Sequence, residues 1–381
     1  MGLSTATNII AARFLGERNR DDLQKTVHTA IFLSIISGIF LTVVGILFAK
    51  KALIMMGSPD DVIELSTLYM KIYFIGMPAS MVYNFGSSLL RAKGDTKRPL
   101  YIITLAGIIN VFLNLFLVVV CKRSVDGVAI ATVVSQYVSA VLIILCLLNE
   151  DEWLKLDFKK LKIHKNTLLE IIKIGVPAGI QGMVFSLSNI TIQSSINSFG
   201  KITMAGYAAA INIQGYIFMI SNAFFHSNMT FTSQNFGAGN PRRIEKSLKL
   251  HLIFQPAIII TLGVAVYIFA VPLLKIFSTD ADVIKDGVIA LKYTELPLFT
   301  CGIMELFVGS LRGIGYSTLP MIVSIVGVCG IRILWVSTVF TMFPALNVLL
   351  ATYPISWIIT AITQAVCFLV VYNKKKKQML G

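Results

Sequence analysis

The chain has 381 residues, of which 56% are hydrophobic and 14% are charged, and its formal net charge at pH 7 is +14. Together with a mean hydropathy of +0.78, this composition excludes a soluble globular domain and is typical of a membrane protein with several spanning helices. The basic residues lie in short clusters between long apolar runs. The positive charge therefore predicts membrane orientation rather than a nucleic-acid partner.

Apolar runs of about 20 or more residues, each long enough to cross a bilayer, follow one another along the chain. They alternate with breaks that are charged or rich in Gly and Pro. We therefore predict an all-α polytopic membrane protein with ten full transmembrane helices. The predicted spans are 26–49, 63–90, 99–121, 126–148, 168–196, 203–231, 251–273, 284–311, 319–341 and 347–372.

The loops between these spans differ in positive charge. One set of alternate loops holds 22 Lys or Arg residues, including the run from Lys374 to Lys377, and the opposite set holds seven. Because positive charge resists translocation, the richer set is predicted to be cytoplasmic. We expect a monomeric protein of the plasma (cell inner) membrane, embedded in the lipid bilayer, with its C-terminus in the cytoplasm.

A repeat with a spacing of 221 residues runs through the loops. Matches at Gly, Arg and Pro in a single register are hard to obtain by chance, unlike matches between apolar residues. An even number of spans separates the copies, so the copies share one orientation and are related by an axis along the membrane normal. The clearest pairs are Gly16 with Gly237, Leu90-Arg91 with Leu311-Arg312, Gly94 with Gly315, and Pro99 with Pro320.

The same spacing predicts spans before the first copy that this chain does not contain. The partners of 168–196 and 203–231 would carry largely negative residue numbers. We therefore expect two homologous six-helix bundles, the first lacking about its first two helices through truncation or a misplaced start. The predicted division is an incomplete N-terminal lobe at 1–150, a cytoplasmic linker at 151–167, a C-terminal six-helix lobe at 168–373 and a basic cytoplasmic tail at 374–381.

Several loop motifs, taken in order, resemble one family. The motifs are QNFGAG at 234–239, LRGIGYSTLPM at 311–321 with its echo LRAKGDTKRPL at 90–100, and DGVAIATVVSQ at 126–136. With two six-span lobes, the chain is similar to the multidrug and toxic compound extrusion (MATE) transporters. The resemblance implies a V-shaped pair of helical bundles that exports organic cations or amphiphilic drugs by alternating access, driven by inward flow of Na⁺ or H⁺, with no other cofactor.

The fifth span of that family commonly carries an Asp in a pattern similar to N-x-x-L-D. Here the matching stretch is NVFLN, with Asn110 and Asn114, so an amide replaces the carboxylate. The first lobe therefore offers no obvious deep acid.

Glu305 is the deepest acid of the second lobe, roughly 9 Å from the cytoplasmic end of its span if Arg312 marks that end. A carboxylate within hydrocarbon must be protonated, paired or in contact with water, and each state makes it a candidate relay for H⁺ or Na⁺. We predict that Glu305 and Arg332, in the following span, form the cation-coupling site. The alternative is a fixed ion pair between the two with no role in transport.

Two further positions lie in the same predicted span. Glu295 is three residues after Lys292, which predicts an interfacial ion pair at helical i, i+3 spacing. Pro297 frees a backbone carbonyl in the middle of the span, so we predict a hinge or a cation ligand there.

The first two spans of the second lobe are rich in neutral polar residues. Some of these fall near one helical face, as the lining of a wet substrate cavity would require. Hydrogen bonding between helices is the alternative explanation. The predicted cavity residues are Gln181, Ser188, Asn189, Tyr207 and Asn212.

Other classes of function fit the chain less well. The Gly-rich loops lack the Lys-Ser/Thr ending of a phosphate-binding loop, the cysteines have no CxxC pair, no His has metal-ligand spacing, and an intramembrane enzyme would cluster His or Asp within its spans. We therefore predict a transporter that is not an enzyme and holds no metal. Within transport, the alternatives are a lipid-linked oligosaccharide flippase of the same superfamily and a truncated product without transport activity.

Overall fold

The computed structural model describes residues 1–55, 59–150 and 153–380. These residues form helices joined by short turns, and no β-strand occurs within those ranges. The chain divides into two compact units, Leu3–Ile172 (unit 1) and Lys173–Gly381 (unit 2). The boundaries of the lobes, linker and tail stay predictions, although helix α7 already begins at Lys165.

Unit 1 is built from six helices and the first turns of α7, with a short 3₁₀ turn at Phe158–Lys160 before α7 begins. Residues such as Leu23, Phe85, Leu89 and Ile143 form its apolar core. Its helices are α1 (Gly2–Glu17), α2 (Arg20–Met55), α3 (Asp60–Ile75), α4 (Met77–Ala92), α5 (Lys97–Leu115, continued by a π-helical turn at Phe116–Val120) and α6 (Val125–Leu148).

Unit 2 contains the rest of α7 and nine further helices. Its helices are α7 (Lys165–Asn197), α8 (Lys201–Gly237), α9 (Pro241–Ile268), α10 (Ala270–Leu274), α11 (Ala281–Thr294), α12 (Leu298–Gly313), α13 (Thr318–Ser324), α14 (Ile331–Trp335), α15 (Leu346–Leu350) and α16 (Thr352–Leu380). Helix α8 packs against α9, α11 and α12. The approach to α11 is close, because a Cβ at Gly206 would lie 2.6 Å from the carbonyl oxygen of Val283.

Among the described residues, nine helical stretches are long and apolar enough to cross a membrane. Large apolar side chains such as Leu47, Phe112, Met219 and Val370 point outwards and are about two-thirds exposed, as lipid-facing side chains must be. The prediction of an all-α polytopic membrane protein is therefore confirmed.

The predicted span 63–90, which is not among these nine stretches, forms two 16-residue helices, α3 and α4, separated at Gly76. Pro78 lies in the first turn of α4, and a proline cannot continue a preceding helix because it lacks an N–H and its ring clashes with the previous turn. The same break recurs 221 residues later, where α11 ends at Thr294 and α12 begins directly after Pro297. The start of α4 at Met77 corresponds to the start of α12 at Leu298.

The paired loops at Gly94 and Gly315 adopt one conformation. Their φ angles are +95° and +91°, in the left-handed region that glycine adopts without steric cost. In each loop the glycine N–H bonds to the carbonyl three residues earlier, at 2.9 and 2.8 Å, and the next N–H bonds to a Leu carbonyl five residues earlier, at 3.1 and 2.9 Å. This pattern satisfies the open carbonyls at a helix C-terminus, and it shows the repeat in backbone geometry.

The polar strip at 233–249 is the turn between α8 and α9. Asn240 caps α9 by accepting a hydrogen bond from the N–H of Arg243 at 3.2 Å, and Pro241 occupies the first helical position. Gly239 has a φ of +63°, which reverses the chain before the cap. In the first copy, Arg18 takes the corresponding left-handed position with a φ of +55°.

Candidate functional site

Unit 2 contains a cavity of about 520 Å³, within the range of pockets that hold drug-sized molecules. Helices α7, α8, α12, α14 and α16 line it, with mostly apolar and aromatic side chains and a few polar groups. The lining residues are Phe185, Ser186, Asn189, Gln193, Tyr207, Ile211, Gln214, Gly215, Phe218, Leu298, Cys301, Glu305, Arg332, Tyr353 and Trp357.

Arg332 projects into the wall of this cavity from the short helix α14. This helix lies between two π-helical segments, Ile325–Gly330 and Val336–Phe340, a feature that is frequent at functional sites because it changes the direction of the following side chains. The side chain of Arg332 is buried. Its Nη1 donates a hydrogen bond to Oδ1 of Asn189 at 2.9 Å, and its Nε donates to Oγ of Ser356 at 3.3 Å.

Two aromatic rings from α16 hold the guanidinium in place. The Cζ atom of Arg332 lies 4.4 Å from the ring centroid of Tyr353 and 5.9 Å from that of Trp357, distances at which a cation is attracted to the face of a ring. The hydroxyl groups of Tyr353 and Tyr207 are 2.6 Å apart and share a hydrogen bond. The aromatic wall is thereby joined to α8, and Arg332 has a fixed orientation.

Glu305 is half-buried and lines the same cavity, one turn after Cys301 on α12. Among the described residues, its carboxylate accepts no hydrogen bond and has no basic nitrogen within 4.0 Å. The predicted alternative of a fixed ion pair with Arg332 is therefore wrong, since the guanidinium bonds to Asn189 and Ser356 instead. The structure brings both predicted coupling residues to one cavity while keeping their side chains apart.

The five predicted cavity residues separate into two groups. Asn189 and Tyr207 line the cavity, whereas Gln181, Ser188 and Asn212 do not. The side chains of Gln181 and Ser188 are buried, and the amide of Asn212 bonds to a carbonyl of its own helix at 2.9 Å.

The position of each side chain on its helix explains this separation. Ser188 is one residue, or about 100° of rotation, away from the cavity-facing Asn189. Gln181 lies about two turns earlier on α7 and bonds to other groups. Its Oε1 accepts from Nη2 of Arg312 at 2.7 Å, and its Nε2 donates to Oγ of Ser324 at 3.2 Å.

No specific sequence pattern predicted the aromatic part of the lining. Phe185, Phe218, Tyr353 and Trp357 line the cavity, but residues of this type are equally common on lipid-facing surfaces. One local signal was available, since Tyr353 and Trp357 are four residues apart and therefore share a face of α16.

Pro297 lies in the turn between α11 and α12, and its carbonyl accepts hydrogen bonds from the N–H and the hydroxyl of Thr300 at 2.9 and 2.7 Å. The helix is thus broken at the predicted place, and a role of Pro297 as a hinge stays a prediction. The predicted pair between Lys292 and Glu295 is wrong. Glu295 is fully buried, and neither of its carboxylate oxygens has a hydrogen-bond partner among the described residues.

In unit 1, the amides that occupy the place of a family carboxylate bond to each other. Nδ2 of Asn114 donates to Oδ1 of Asn110 at 3.0 Å, and Nδ2 of Asn110 donates to Oγ1 of Thr132 at 3.4 Å. No group of three or more His, Cys, Asp or Glu side chains suited to a metal ion is found within the described ranges. Among the described residues that line the cavity of unit 2, Glu305 is the single Asp or Glu.

The chain is similar to known proteins over most of its length. The family model described as MatE matches residues 1–116 and 177–338. A probable multidrug resistance protein, YoeA of Bacillus subtilis, is 26% identical over 340 residues, which cover 87% of this chain and 73% of that protein. An FAD transporter of Shewanella oneidensis is 28% identical over 296 residues, covering 75% of this chain and 64% of the relative.

The fold also matches a solved structure. A crystal structure of MATE in the bent conformation superimposes with a TM-score of 0.93 at 18% sequence identity, covering 100% of this chain and 85% of that one. At this identity the match concerns the fold, and the family model, which spans most of the chain, concerns the family. The chain belongs to the MatE family of multidrug efflux proteins, which are membrane transporters and not enzymes.

Proposed function

We propose that this protein is a secondary active transporter that exports small organic, cationic or amphiphilic molecules by alternating access, in antiport with Na⁺ or H⁺. One observation carries the proposal: the cavity within the helices of unit 2 has aromatic walls and a carboxylate, that of Glu305, which forms no ion pair within 4.0 Å among the described residues. The relatives named as a multidrug resistance protein and as an FAD transporter support a broad, partly aromatic range of substrates.

Glu305 suits the coupling role because, among the described residues, no basic nitrogen lies within 4.0 Å of its carboxylate, although the charge of Arg312 acts on it from further away. An ionised carboxylate in a largely apolar cavity attracts a cation, whether a substrate, Na⁺ or H⁺. Entry of the coupling ion neutralises the carboxylate and weakens the binding of a cationic substrate. Competition of this kind at one group links inward flow of the ion to release of the substrate, because each ligand shifts the conformational equilibrium by its differential affinity for the two states.

The orientation rests on the distribution of positive charge. We propose the plasma membrane as the location, with the protein monomeric and its C-terminus in the cytoplasm. An epitope tag after residue 381 should react with its antibody only after the membrane is permeabilised. Reaction in intact cells would overturn the orientation.

The flippase alternative receives little support from the cavity. A pyrophosphate-linked substrate would need several basic side chains, and Arg332 is the single Lys or Arg among the described residues that line the cavity. A product without transport activity is the remaining alternative, and a transport assay with the purified chain decides it.

The test uses the purified chain in liposomes, with uptake of a fluorescent aromatic cation such as ethidium driven by either a Na⁺ or a pH gradient. We expect Glu305→Gln to abolish the gradient-driven component, because the amide cannot exchange charge. Glu245→Gln is the matched control, since this acid on α9 pairs with Lys376 at 2.7 Å outside the cavity. Gradient-driven uptake that is equal in the wild type and Glu305→Gln would overturn the assignment, and no uptake by the wild type would favour the inactive product.

A further inference from the structure

The guanidinium of Arg332 is a buried positive charge without an acidic partner among the described residues. A guanidinium has five N–H donors, and here its acceptors among the described residues are neutral oxygens, those of Asn189 and Ser356. Nη2 donates to no described residue. Burial of a charge is unfavourable unless an opposite charge or a ligand offsets the loss of water, so Arg332 lacks the partner that would explain its position.

The environment of Arg332 also differs from that of a basic residue with a purely structural role. Arg312, the other buried arginine of unit 2, bonds to Gln181 and is not among the lining residues. Arg332 lines the cavity. Its unpaired charge is therefore available to a molecule within the cavity.

The side chain is already held in a binding geometry. Asn189 and Ser356 hold two of its nitrogens, and the ring of Tyr353 covers one face of the guanidinium. Ser356 is itself oriented, because its hydroxyl donates to the carbonyl of Tyr353 at 3.0 Å. Binding of a ligand therefore costs little side-chain entropy, because the guanidinium of Arg332 is already ordered.

The remaining walls favour a ring next to that donor. Phe185, Phe218 and Trp357 supply planar apolar surfaces on three different helices, and such rings stack on one another with ring centroids about 4.5–7 Å apart. Glu305 is the other charged side chain among the described lining residues, and its carboxylate forms no ion pair with Arg332 within 4.0 Å. The cavity thus presents a positive site next to an aromatic surface, and the carboxylate of Glu305 in the same cavity forms no ion pair with that site.

We infer that this cavity binds aromatic carboxylates, with the carboxylate on Arg332 and the ring between the aromatic walls. A carboxylate matches the planar fork of a guanidinium and supplies the missing negative charge. The inference rests on the proposed function, because it adds aromatic anions to the substrates of the same cavity. Arg332 is then the residue that determines this specificity.

The test measures binding and needs no transport. The purified chain is placed in nanodiscs of phosphatidylcholine, a lipid without net charge, and equilibrium dialysis measures binding of 2-naphthoate and of its uncharged analogue 2-naphthamide, with empty nanodiscs subtracted. We expect the wild type to bind 2-naphthoate about tenfold or more tightly than 2-naphthamide, as charge-assisted hydrogen bonds to a buried guanidinium allow. Arg332→Gln should remove this preference, and Arg332→Lys should retain part of it.

Arg242→Gln is the matched control, because it removes one positive charge from an exposed position at the start of α9 and should leave the preference unchanged. Equal binding of the two probes by the wild type, or a preference that survives Arg332→Gln, would overturn the inference. The wild-type comparison decides the question even if Arg332→Gln does not fold. If gradient-driven uptake fails while the preference persists, the proposed function is wrong and the anion site stands.

Discussion

Nη1 of Arg332 and Oδ1 of Asn189 form a hydrogen bond of 2.9 Å that joins α14 to α7 at the cavity wall. Asn189→Leu keeps the approximate volume of the side chain and removes the acceptor, which leaves a buried charged donor unsatisfied. We expect the free energy of unfolding to fall by about 1–3 kcal/mol. A thermal unfolding measurement in detergent gives the change.

Asn212→Leu is the control for this substitution. The amide of Asn212 is exposed and bonds to the carbonyl of Ala208 in its own helix at 2.9 Å. We expect its unfolding temperature to stay close to that of the wild type. Equal destabilisation by the two substitutions would show that the hydrogen bond between Asn189 and Arg332 does not stabilise the protein more than the local bond of Asn212 does.

Glu295→Gln tests the effect of a buried acidic side chain that has no hydrogen-bond partner among the described residues. Both carboxylate oxygens of Glu295 are buried without a described partner, and an unpaired carboxylate is among the most unfavourable groups to bury. We expect the neutral amide to leave thermal stability unchanged or to raise it at neutral pH. A clear fall in the unfolding temperature would mean that Glu295 stabilises the native state.

Glu150 lies outside the membrane spans of unit 1 and, unlike Glu295, is a buried acid with basic partners. Its Oε1 lies 2.7 Å from Nζ of Lys93 and its Oε2 lies 2.6 Å from Nη2 of Arg98. Burial tends to raise the pKa of Glu150, but the interactions with the positive charges of Lys93 and Arg98 outweigh it, so the pKa is lowered below its ordinary value.

A lowered folded-state pKa means that the unfolded chain binds the proton more readily. The contribution of Glu150 to stability is therefore present above its unfolded pKa, about 4.3, and is lost as the pH falls through the lower folded-state pKa. We expect Glu150→Gln to lower the unfolding temperature at pH 7, and the difference from the wild type to shrink as the medium is acidified to about pH 3. A difference that stays constant over this range would contradict the assignment.

Gly94→Ala and Gly315→Ala should have similar effects. Both glycines have positive φ, and a Cβ at either position would meet no atom within 4 Å, so backbone strain is the main cost. We expect each substitution to destabilise its unit by about 1–2 kcal/mol. Gly107→Ala is the control, because Gly107 lies within α5 with equally open space around it and should gain stability from the better helix former.

How far the sequence predicts this molecule depends on the kind of signal. Hydropathy located the spans, because a long apolar run is a property of its own segment of the chain. The pair between Lys292 and Glu295 was predicted wrongly, because i, i+3 geometry assumes a continuous helix and α11 ends at Thr294. The grouping of Tyr353 and Trp357 around Arg332 depends on packing between distant helices, which no local pattern contains.

The two loops at 90–100 and 311–321 share Leu, Arg, Gly and Pro at matching positions and differ at the other seven, yet their glycines adopt nearly equal φ angles. The side chains at the seven differing positions therefore do not determine the backbone conformation at the glycine. We therefore expect that either loop sequence can replace the other without a change in the backbone conformation. Engineers who need to insert a label or a cysteine pair at the membrane surface have two equivalent sites at which to make the same change and compare the outcome.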